Sequence, residues 1–225
     1  YLASLPEPQE WFLEELARSG ESWEAPGAGY AIFHQDRLVE FYVADRSRAH
    51  ICLTRLFEQR PFAKALCTSF DPILIEAART RGWAMVETGF LFRKRKAITL
   101  KRQAFQLRKA KRTDLPDVWA LGQDFFDSMD EVAQIFRSNG LWVALDDGQM
   151  VASGVMIPID GSGKVVDIGM VTRPDQRNRG FASLCVAALA HVLEGEGKRP
   201  ICGCAESNLA SKAALENAGF VSEHR

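Results

Sequence analysis

One stretch of sequence constrains the fold of this chain more than any other. Residues 165–184 read Val-Val-Asp-Ile-Gly-Met-Val-Thr-Arg-Pro-Asp-Gln-Arg-Asn-Arg-Gly-Phe-Ala-Ser-Leu. An apolar run typical of a buried strand leads into an arginine-rich loop, and the loop leads into an apolar segment with helical periodicity. Strands that turn directly into helices build sheets covered by helices, so this stretch predicts the α/β (α+β) class.

The same loop predicts a binding site for an anion. The first amides of a helix have no partner inside the helix, and the helix dipole adds positive charge at that end. Small residues at Gly180 and Ala182 let an oxyanion approach these amides, while Arg173, Arg177 and Arg179 add full charges. The pattern is that of a diphosphate site. An exposed loop that only caps the helix explains the residues equally well.

The rest of the chain predicts two halves, each with a mixed and mostly antiparallel sheet flanked by helices. In the first half we expect helices over 6–18, 46–59 and 72–81, and strands over 30–34, 38–43, 63–67 and 83–92. In the second half we expect helices from 113 and over 181–194 and 209–217, and strands from 106, over 141–145, 150–157, 164–172 and 200–204, and from 220.

A repeat relates the two halves. Cys67, Asp71 and Gly82 of the first half correspond to Cys204, Asn208 and Gly219 of the second, and 15 residues separate Cys from Gly in both. Each repeat reads as strand–helix–strand, which favours a duplication over a chance match of two common α/β units. We place the domains at residues 1–104 and 105–225.

Composition and charge exclude several classes of protein. No apolar run approaches the roughly 20 residues that span a bilayer, and the N-terminus does not resemble a signal peptide. The five scattered cysteines indicate reduced thiols and a cytoplasmic location, and no residues have metal-ligand spacing. Ten Lys and Arg with no acid fill residues 93–112. Without a nucleic-acid motif, this basic stretch is better explained as a linker plus a strand.

Three short motifs resemble a known family. Arg177-x-x-Gly180-x-Ala182 after a strand resembles the acyl-coenzyme A signature of the GNAT N-acetyltransferase superfamily, and the lead-in from Met170 to Pro174 is similar to the strand before it. Asn208-x-x-Ser211, followed by Gly219-Phe220, is similar to the second cofactor motif. The motifs occur in family order, and the resemblance covers about residues 105–225.

The resemblance implies an acetyl-CoA site in a V-shaped cleft between two splayed strands. The strand near Met170 and Val171 would pair with the pantetheine arm, and one of its amides would hold the thioester carbonyl. Asn208 would bind the same arm, and Ser211 would line the CoA side. The diphosphate would lie on the loop from Arg177 through Ala182, so the full set of implied cofactor residues is Met170, Val171, Arg177, Asn178, Arg179, Gly180, Phe181, Ala182, Asn208 and Ser211.

The acid–base residues are less clear, because the sequence departs from the family. Leu215 stands where many members carry a tyrosine that protonates the leaving thiolate. Asp167, on the central strand, is a candidate general base, although a purely structural role is open. The lesser candidates are Glu206 for the base, and Ser207, Ser211 or Tyr42 for the acid.

A second departure concerns the last strand. The family continues through a hairpin to a seventh strand, whereas this sequence stops at Arg225. We expect the first half or a second subunit of a homodimer to supply that strand, with residues 83–92 as a donor. The first half lacks the glycine-containing loop and is predicted to be a degenerate GNAT-like domain without cofactor.

These observations predict a cytoplasmic, tandem-domain N-acetyltransferase. It would transfer an acetyl group from acetyl-CoA to a primary amine, most readily a small molecule, by direct attack. A CoA-binding sensor without activity is the alternative, and Leu215 is its main support.

Overall fold

The computed structural model describes residues 1–25, 28–99, 104–159 and 161–225. Its contacts divide the chain into two units. The first comprises Tyr1–Glu87 with His224–Arg225, and the second comprises Thr88–Glu223. Each unit is a sheet flanked by helices, which confirms the predicted α/β (α+β) class.

The first unit is built on a four-stranded sheet of order β1-β2-β3-β4, antiparallel except for the parallel pair β3–β4. Its elements are α1 (Trp11–Arg18), β1 (Glu21–Ala25), β2 (Gly29–His34), β3 (Arg37–Val43), α2 (Ala49–Gln59), β4 (Lys64–Ala65) and α3 (Pro72–Arg81). Helix α3 begins where the sequence predicts, because the Asp71 carboxylate accepts hydrogen bonds from the amides of Ile73 and Leu74, both at 3.0 Å.

The second unit is built on a seven-stranded sheet of order β11-β5-β10-β9-β8-β7-β6. Its elements are β5 (Gly89–Arg95), β6 (Phe105–Lys109), α4 (Leu115–Leu121), α5 (Met129–Arg137), β7 (Leu141–Asp146), β8 (Gln149–Pro158), β9 (Val165–Thr172), α6 (Phe181–Gly195), β10 (Arg199–Ala205), α7 (Leu209–Asn217) and β11 (Phe220–His224). Strands β9 and β10 are parallel, since helix α6 crosses over between them.

Alternation along β9 separates two apolar layers in the second unit. Even-numbered residues such as Val166 and Ile168 pack in the cluster that contains helix α6, whereas Val171 packs in the cluster that contains α4 and α5. The sequence missed α5, whose N-cap is Ser128: its hydroxyl accepts a hydrogen bond from the Glu131 amide at 3.1 Å. Side chains on β9 therefore face either α6 or the α4–α5 pair.

The earlier part of the chain supplies a strand to the second sheet, as expected. Strand β5 pairs antiparallel with β10, Phe92 opposite Cys202, and lies between β10 and β11. It begins at Gly89, whereas the sequence predicted a strand over 83–92. Because β5 is bonded inside the second sheet, the units divide between Glu87 and Thr88 rather than at the predicted position 104/105.

Half of the ten basic residues of this stretch lie in strands of this sheet, three in β5 and two in β6. Arg93 and Arg95 belong to β5, and the Arg95 guanidinium makes two hydrogen bonds of 2.8 and 2.7 Å to the Glu194 carboxylate. Lys94 pairs with Glu223 at 2.7 Å. These charges therefore stabilise contacts within the unit, which leaves them less available to a polyanion.

Two hydrogen bonds extend the sequence repeat. In the first unit the Ser69 amide donates to the Arg225 carbonyl at 2.7 Å, and in the second the Glu206 amide donates to the Thr88 carbonyl at 2.9 Å. The donors and the acceptors are separated by the same offset, 137 residues (206 − 69 and 225 − 88), which also relates Cys67 to Cys204. Residues after α3 thus bond within the second unit, and residues after α7 bond within the first, at equivalent positions of the repeat.

Three further features belong to the described part of the chain. No helix there has the length and apolar character needed to cross a bilayer. All five cysteines are free thiols. No three His, Cys, Asp or Glu side chains in these residues group as metal ligands do.

A buried carboxylate in the first unit predicts a pH-dependent stability. Burial, followed by the nearby Glu40 carboxylate, raises the pKa of Glu14 to about 7. The folded protein holds a proton on Glu14 that the unfolded chain, with a carboxyl pKa of about 4.3, releases. Stability should fall as the pH rises from about 4 to about 7. We expect Glu14→Gln to raise the free energy of unfolding at pH 8 by about 1–2 kcal/mol.

Urea unfolding at a series of pH values measures this effect. The matched control is Glu58→Gln, since Glu58 is exposed on α2. The control should keep the wild-type slope between pH 5 and pH 7, and Glu14→Gln should make it shallower, with the remaining slope due to Glu40, whose pKa burial also raises. A Glu14→Gln protein with the wild-type slope would contradict the expectation.

Candidate active site

Strands β9 and β10, the parallel pair of the second unit, separate partway along their length. Strands β9 and β10 pair from Val165–Arg199 to Asp167–Ile201, and there the pairing between them ends. Each strand runs on with its outer partner: β9 stays paired with β8 to Thr172, and β10 with β5 to Ala205. The result is a V-shaped opening whose apex lies at Asp167 and Ile201.

Backbone alternation decides which amides face the opening. The Arg173 amide donates to the Val151 carbonyl of β8 at 2.9 Å, so odd-numbered residues of β9 direct their backbone groups toward β8. Even-numbered residues direct theirs the other way, toward β10. The Met170 amide therefore points into the opening, whereas the Val171 amide points toward β8 and the Val171 side chain is buried beneath α4 and α5.

The loop after β9 forms an amide cradle, which we define as residues 177–183. Asn178 and Gly180 have positive φ values of 62° and 80°. The first hydrogen bond of α6 runs from the Leu184 amide to the Gly180 carbonyl at 3.1 Å, so the Ala182 and Ser183 amides precede it and have no backbone acceptor in the described residues. A Cβ built on Gly180 meets nothing within 4 Å, so the space beside this glycine is open.

The arginines around the cradle already have anionic or polar partners. Arg173 makes hydrogen bonds of 2.7 and 3.0 Å to the Asp175 carboxylate and lowers its pKa. Arg179 donates to the Gln176 side chain, and its guanidinium lies 5.3 Å from the centre of the Phe181 ring. These contacts hold the arginines beside the cradle, with their charge partly offset by Asp175.

Arg177 connects the cradle to another loop. Its guanidinium pairs with the Asp124 carboxylate at 2.9 Å and donates to the Thr172 carbonyl at 3.3 Å. Asp124 lies in the segment between α4 and α5, and sequence reasoning did not select it. In the sequence, the only signals for this segment are the acidic residue and the pair of phenylalanines that follows it.

Asp167 occupies the last paired row, opposite Ile157 of β8 and Ile201 of β10. It shares its face of β9 with Gly169 and Val171, so it faces the α4–α5 side and not α6.

A buried arginine lies in the same row of the sheet as Asp167. Arg93 follows Phe92 on β5, which puts Arg93 in register with Ile201, the partner of Asp167. The Arg93 side chain is only 2% exposed and donates to the Cys202 carbonyl at 3.1 Å. The sequence missed this buried cation.

The start of α7 brings Asn208 and Ser211 together. Asn208 caps the helix, since its side-chain oxygen accepts a hydrogen bond from the Ser211 amide at 3.0 Å. Asn208 is exposed to solvent. Leu215, one turn further along, is 3% exposed and packs in the cluster around α6, so no proton donor stands at this position.

The other candidates for acid–base chemistry are more scattered. Glu206 and Ser207 are exposed between β10 and α7, and the Glu206 amide is tied to Thr88. Tyr42 belongs to β3 of the first unit, where its ring lies 5.5 Å from that of Tyr30. Of the predicted acid–base residues, Asp167 is the one at the apex of the opening.

In the described residues that follow β3 of the first unit there is no amide cradle. After β3, the Asp45 carboxylate accepts hydrogen bonds from the Ser47 hydroxyl at 2.7 Å and the Ser47 amide at 3.0 Å. These bonds lower the pKa of Asp45. A carboxylate thus takes one of the amides at the start of the helical segment, where its charge opposes a phosphate.

The residues of the second unit fit a ligand with a diphosphate and an extended amide-bearing arm. The cradle offers amides without backbone partners and open space beside Gly180, and the edge of β9 offers the Met170 amide. Both features belong to the strand–loop–helix segment 170–183. Near the apex, a carboxylate could accept a proton.

Comparison with protein families agrees with this geometry. The acetyltransferase (GNAT) family profile matches residues 105–220, just over half of the chain. No curated protein sequence matches the chain.

Solved structures give the extent of the fold similarity. An acetyltransferase of the GNAT family from Colwellia psychrerythraea matches with a TM-score of 0.87 at 15% identity, over 100% of this chain and 91% of that chain. A putative acetyltransferase from Salmonella typhimurium, solved with acetyl-CoA, gives 0.46 at 15% identity, over 53% and 80%. A spermidine N-acetyltransferase from Vibrio cholerae gives 0.47 at 18% identity, over 54% and 82%. The first match shows a shared fold over both units.

Proposed function

The chain belongs to the acetyltransferase (GNAT) family, and from that premise we propose that it transfers an acetyl group from acetyl-CoA to the amine of a small molecule. Family membership makes it an acyltransferase whose cofactor is acetyl-CoA. The observation that carries the proposal is the parting of β9 and β10 next to the amide cradle of α6.

We assign the diphosphate to the amide cradle. The helix dipole and the amides at the start of α6 stabilise negative charge there, and the positive charges of the adjacent arginines increase this stabilisation. The Asn208 side chain is assigned to the pantetheine arm, with Ser211 beside it. The loop residues in contact would be Arg177, Asn178, Arg179, Gly180, Phe181 and Ala182.

The Met170 amide is assigned to the thioester carbonyl. Acetyl-CoA supplies an activated acetyl thioester. The Met170 N–H points into the opening and is held by the strand, so it can stabilise the charge that develops on the carbonyl oxygen. A fixed donor of this kind needs no rearrangement during the reaction.

Asp167 is assigned as the general base. Its carboxylate lies at the apex, where it can take a proton from the attacking ammonium directly or through one water. The buried Arg93 belongs to the same row of the sheet. Leu215 cannot protonate the leaving thiolate, so that proton comes from water or from the Ser211 hydroxyl.

A small amine suits the surroundings of the apex. Outside the basic stretch the chain has an excess of acidic residues, which attracts a cationic acceptor. We propose that the first unit is a degenerate GNAT-like domain that does not bind acetyl-CoA, because Asp45 takes the position of an anion there.

Thiol release from acetyl-CoA across a panel of primary amines tests the function. The panel includes aliphatic diamines, amino sugars, aromatic amines and a lysine peptide. We expect release that depends on at least one small amine, with the acetylated amine found by mass spectrometry. Asp167→Asn should lower kcat/KM about 100-fold and flatten the acid limb of the pH profile, with acetyl-CoA affinity nearly unchanged.

The matched control is Asp130→Asn, because Asp130 is exposed on α5. It should retain wild-type kcat/KM. Tight acetyl-CoA binding without amine-dependent release from any member of the panel would identify a sensor and overturn the proposal.

A further inference from the structure

An aromatic ring occupies the space that a side chain would take at a glycine of β9. Gly169 lies on the same face as Asp167, immediately before Met170. A Cβ on Gly169 would lie only 2.9 Å from Phe125 Cζ and 3.1 Å from Val155 Cγ2. The Phe125 ring therefore packs directly on the strand backbone, one residue from the amide that faces the opening.

The ring is held there from both sides. Phe126 is buried among the residues of α4 and α5, and its ring meets that of Phe125 edge-on with centroids 4.9 Å apart. On the other side, Asp124 pairs with Arg177 of the amide cradle at 2.9 Å. The segment is thus anchored to the core by one neighbour and to the cradle by the other.

The outer part of the ring stays accessible. Phe125 is 41% exposed, whereas Phe126 next to it is buried. An exposed phenylalanine gains little from folding, so its burial does not explain its position. Because the ring lies against Gly169, the residue before Met170, it limits the space for any group bound at the Met170 amide.

We propose that Phe125 sets the length of the acyl group that the enzyme accepts. This rests on the proposed function, which puts the thioester carbonyl at the Met170 amide. We place the acyl chain on the face shared by Asp167 and Gly169, because the proposed base acts from that face, and the ring of Phe125 limits the room there. An acetyl methyl fits beside the ring, and a longer chain requires the ring to move.

Packing makes such discrimination measurable. Gly169 provides room for the ring, and Val155 on β8 closes the same space from the other side. A single extra methylene in a tight hydrophobic pocket is worth roughly 10–200-fold in discrimination. Butyryl-CoA, two methylenes longer than acetyl-CoA, is the probe for this space.

Dissociation constants for CoA, acetyl-CoA and butyryl-CoA test the proposal without an amine acceptor. We expect the wild-type protein to bind butyryl-CoA at least about 10-fold more weakly than acetyl-CoA, and Phe125→Ala to reduce that ratio to about 3 or less. CoA itself, which has no acyl group, should bind both proteins equally. Phe125→Leu should give an intermediate ratio and covers the case of an alanine variant that does not fold.

The matched control is Met129→Ala, because Met129 is a similarly exposed apolar residue at the start of α5. It should keep the wild-type ratio. An unchanged ratio in both folded Phe125 variants overturns the proposal. Failure of CoA to bind the wild-type protein at all would instead overturn the assignment of the cradle, so the two failures are distinguishable.

Discussion

Gly180→Glu is expected to lower the affinity for acetyl-CoA at least about 100-fold, equivalent to roughly 2.7 kcal/mol. The open space before Gly180 would receive a carboxylate, which repels a diphosphate and competes with it for the amides of the cradle. The positive φ of 80° adds local strain for any side chain. Titration calorimetry with acetyl-CoA measures the loss.

Gly197→Glu separates charge repulsion from strain. Gly197 also has a positive φ, 70°, and a Cβ there also meets nothing within 4 Å, but it lies beyond the other end of α6. Both variants should lose similar stability, and only Gly180→Glu should lose affinity. Equal affinity in the two variants would remove the cradle from the cofactor site.

Phe92→Ala is expected to destabilise the second unit by about 3–5 kcal/mol, enough to unfold a domain of ordinary stability. Phe92 lies at the middle of β5, is fully buried and packs in the cluster around α6. Urea unfolding measures the loss. Phe12→Ala is the control, since Phe12 is 58% exposed, and it should change stability by less than about 0.5 kcal/mol.

Two fragments test the strand itself. A fragment of residues 88–225 keeps β5, and a fragment of residues 96–225 lacks it. Without β5, strands β10 and β11 lose the partner between them and expose backbone edges that aggregate. We expect the shorter fragment to be the less soluble one. A soluble, acetyl-CoA-binding fragment 96–225 would show that β5 is dispensable.

Local signals predicted most of the elements near the site. The apolar run to Thr172, the glycine at position 180 and the apolar periodicity after it predicted β9, the loop and α6, because each is specified by neighbouring residues. The Asp71-Pro72 start and Gly82 end of α3 were predicted for the same reason. The motifs also predicted the family, which the profile match confirms.

Properties set by distant residues were not predictable in this way. Arg93 reads as part of a solvated basic stretch, yet it is buried because β5 pairs with β10, about 100 residues later in the chain. Phe125 and Asp124 carry no motif, and their importance depends on Gly169 and Arg177. The register of β9 against β8 also determines that the Met170 amide, and not the Val171 amide, faces the opening. Composition carries no information about register.

The position of β5 has a consequence for how the protein is made. The strand leaves the ribosome about 100 residues before its partner β10, an interval of roughly 5–20 s at ordinary rates of translation. Throughout that interval the nascent chain carries an apolar segment with no strand to pair with. We therefore expect newly synthesised molecules to benefit from holding chaperones or from slow expression at low temperature, which the yield of soluble protein would measure.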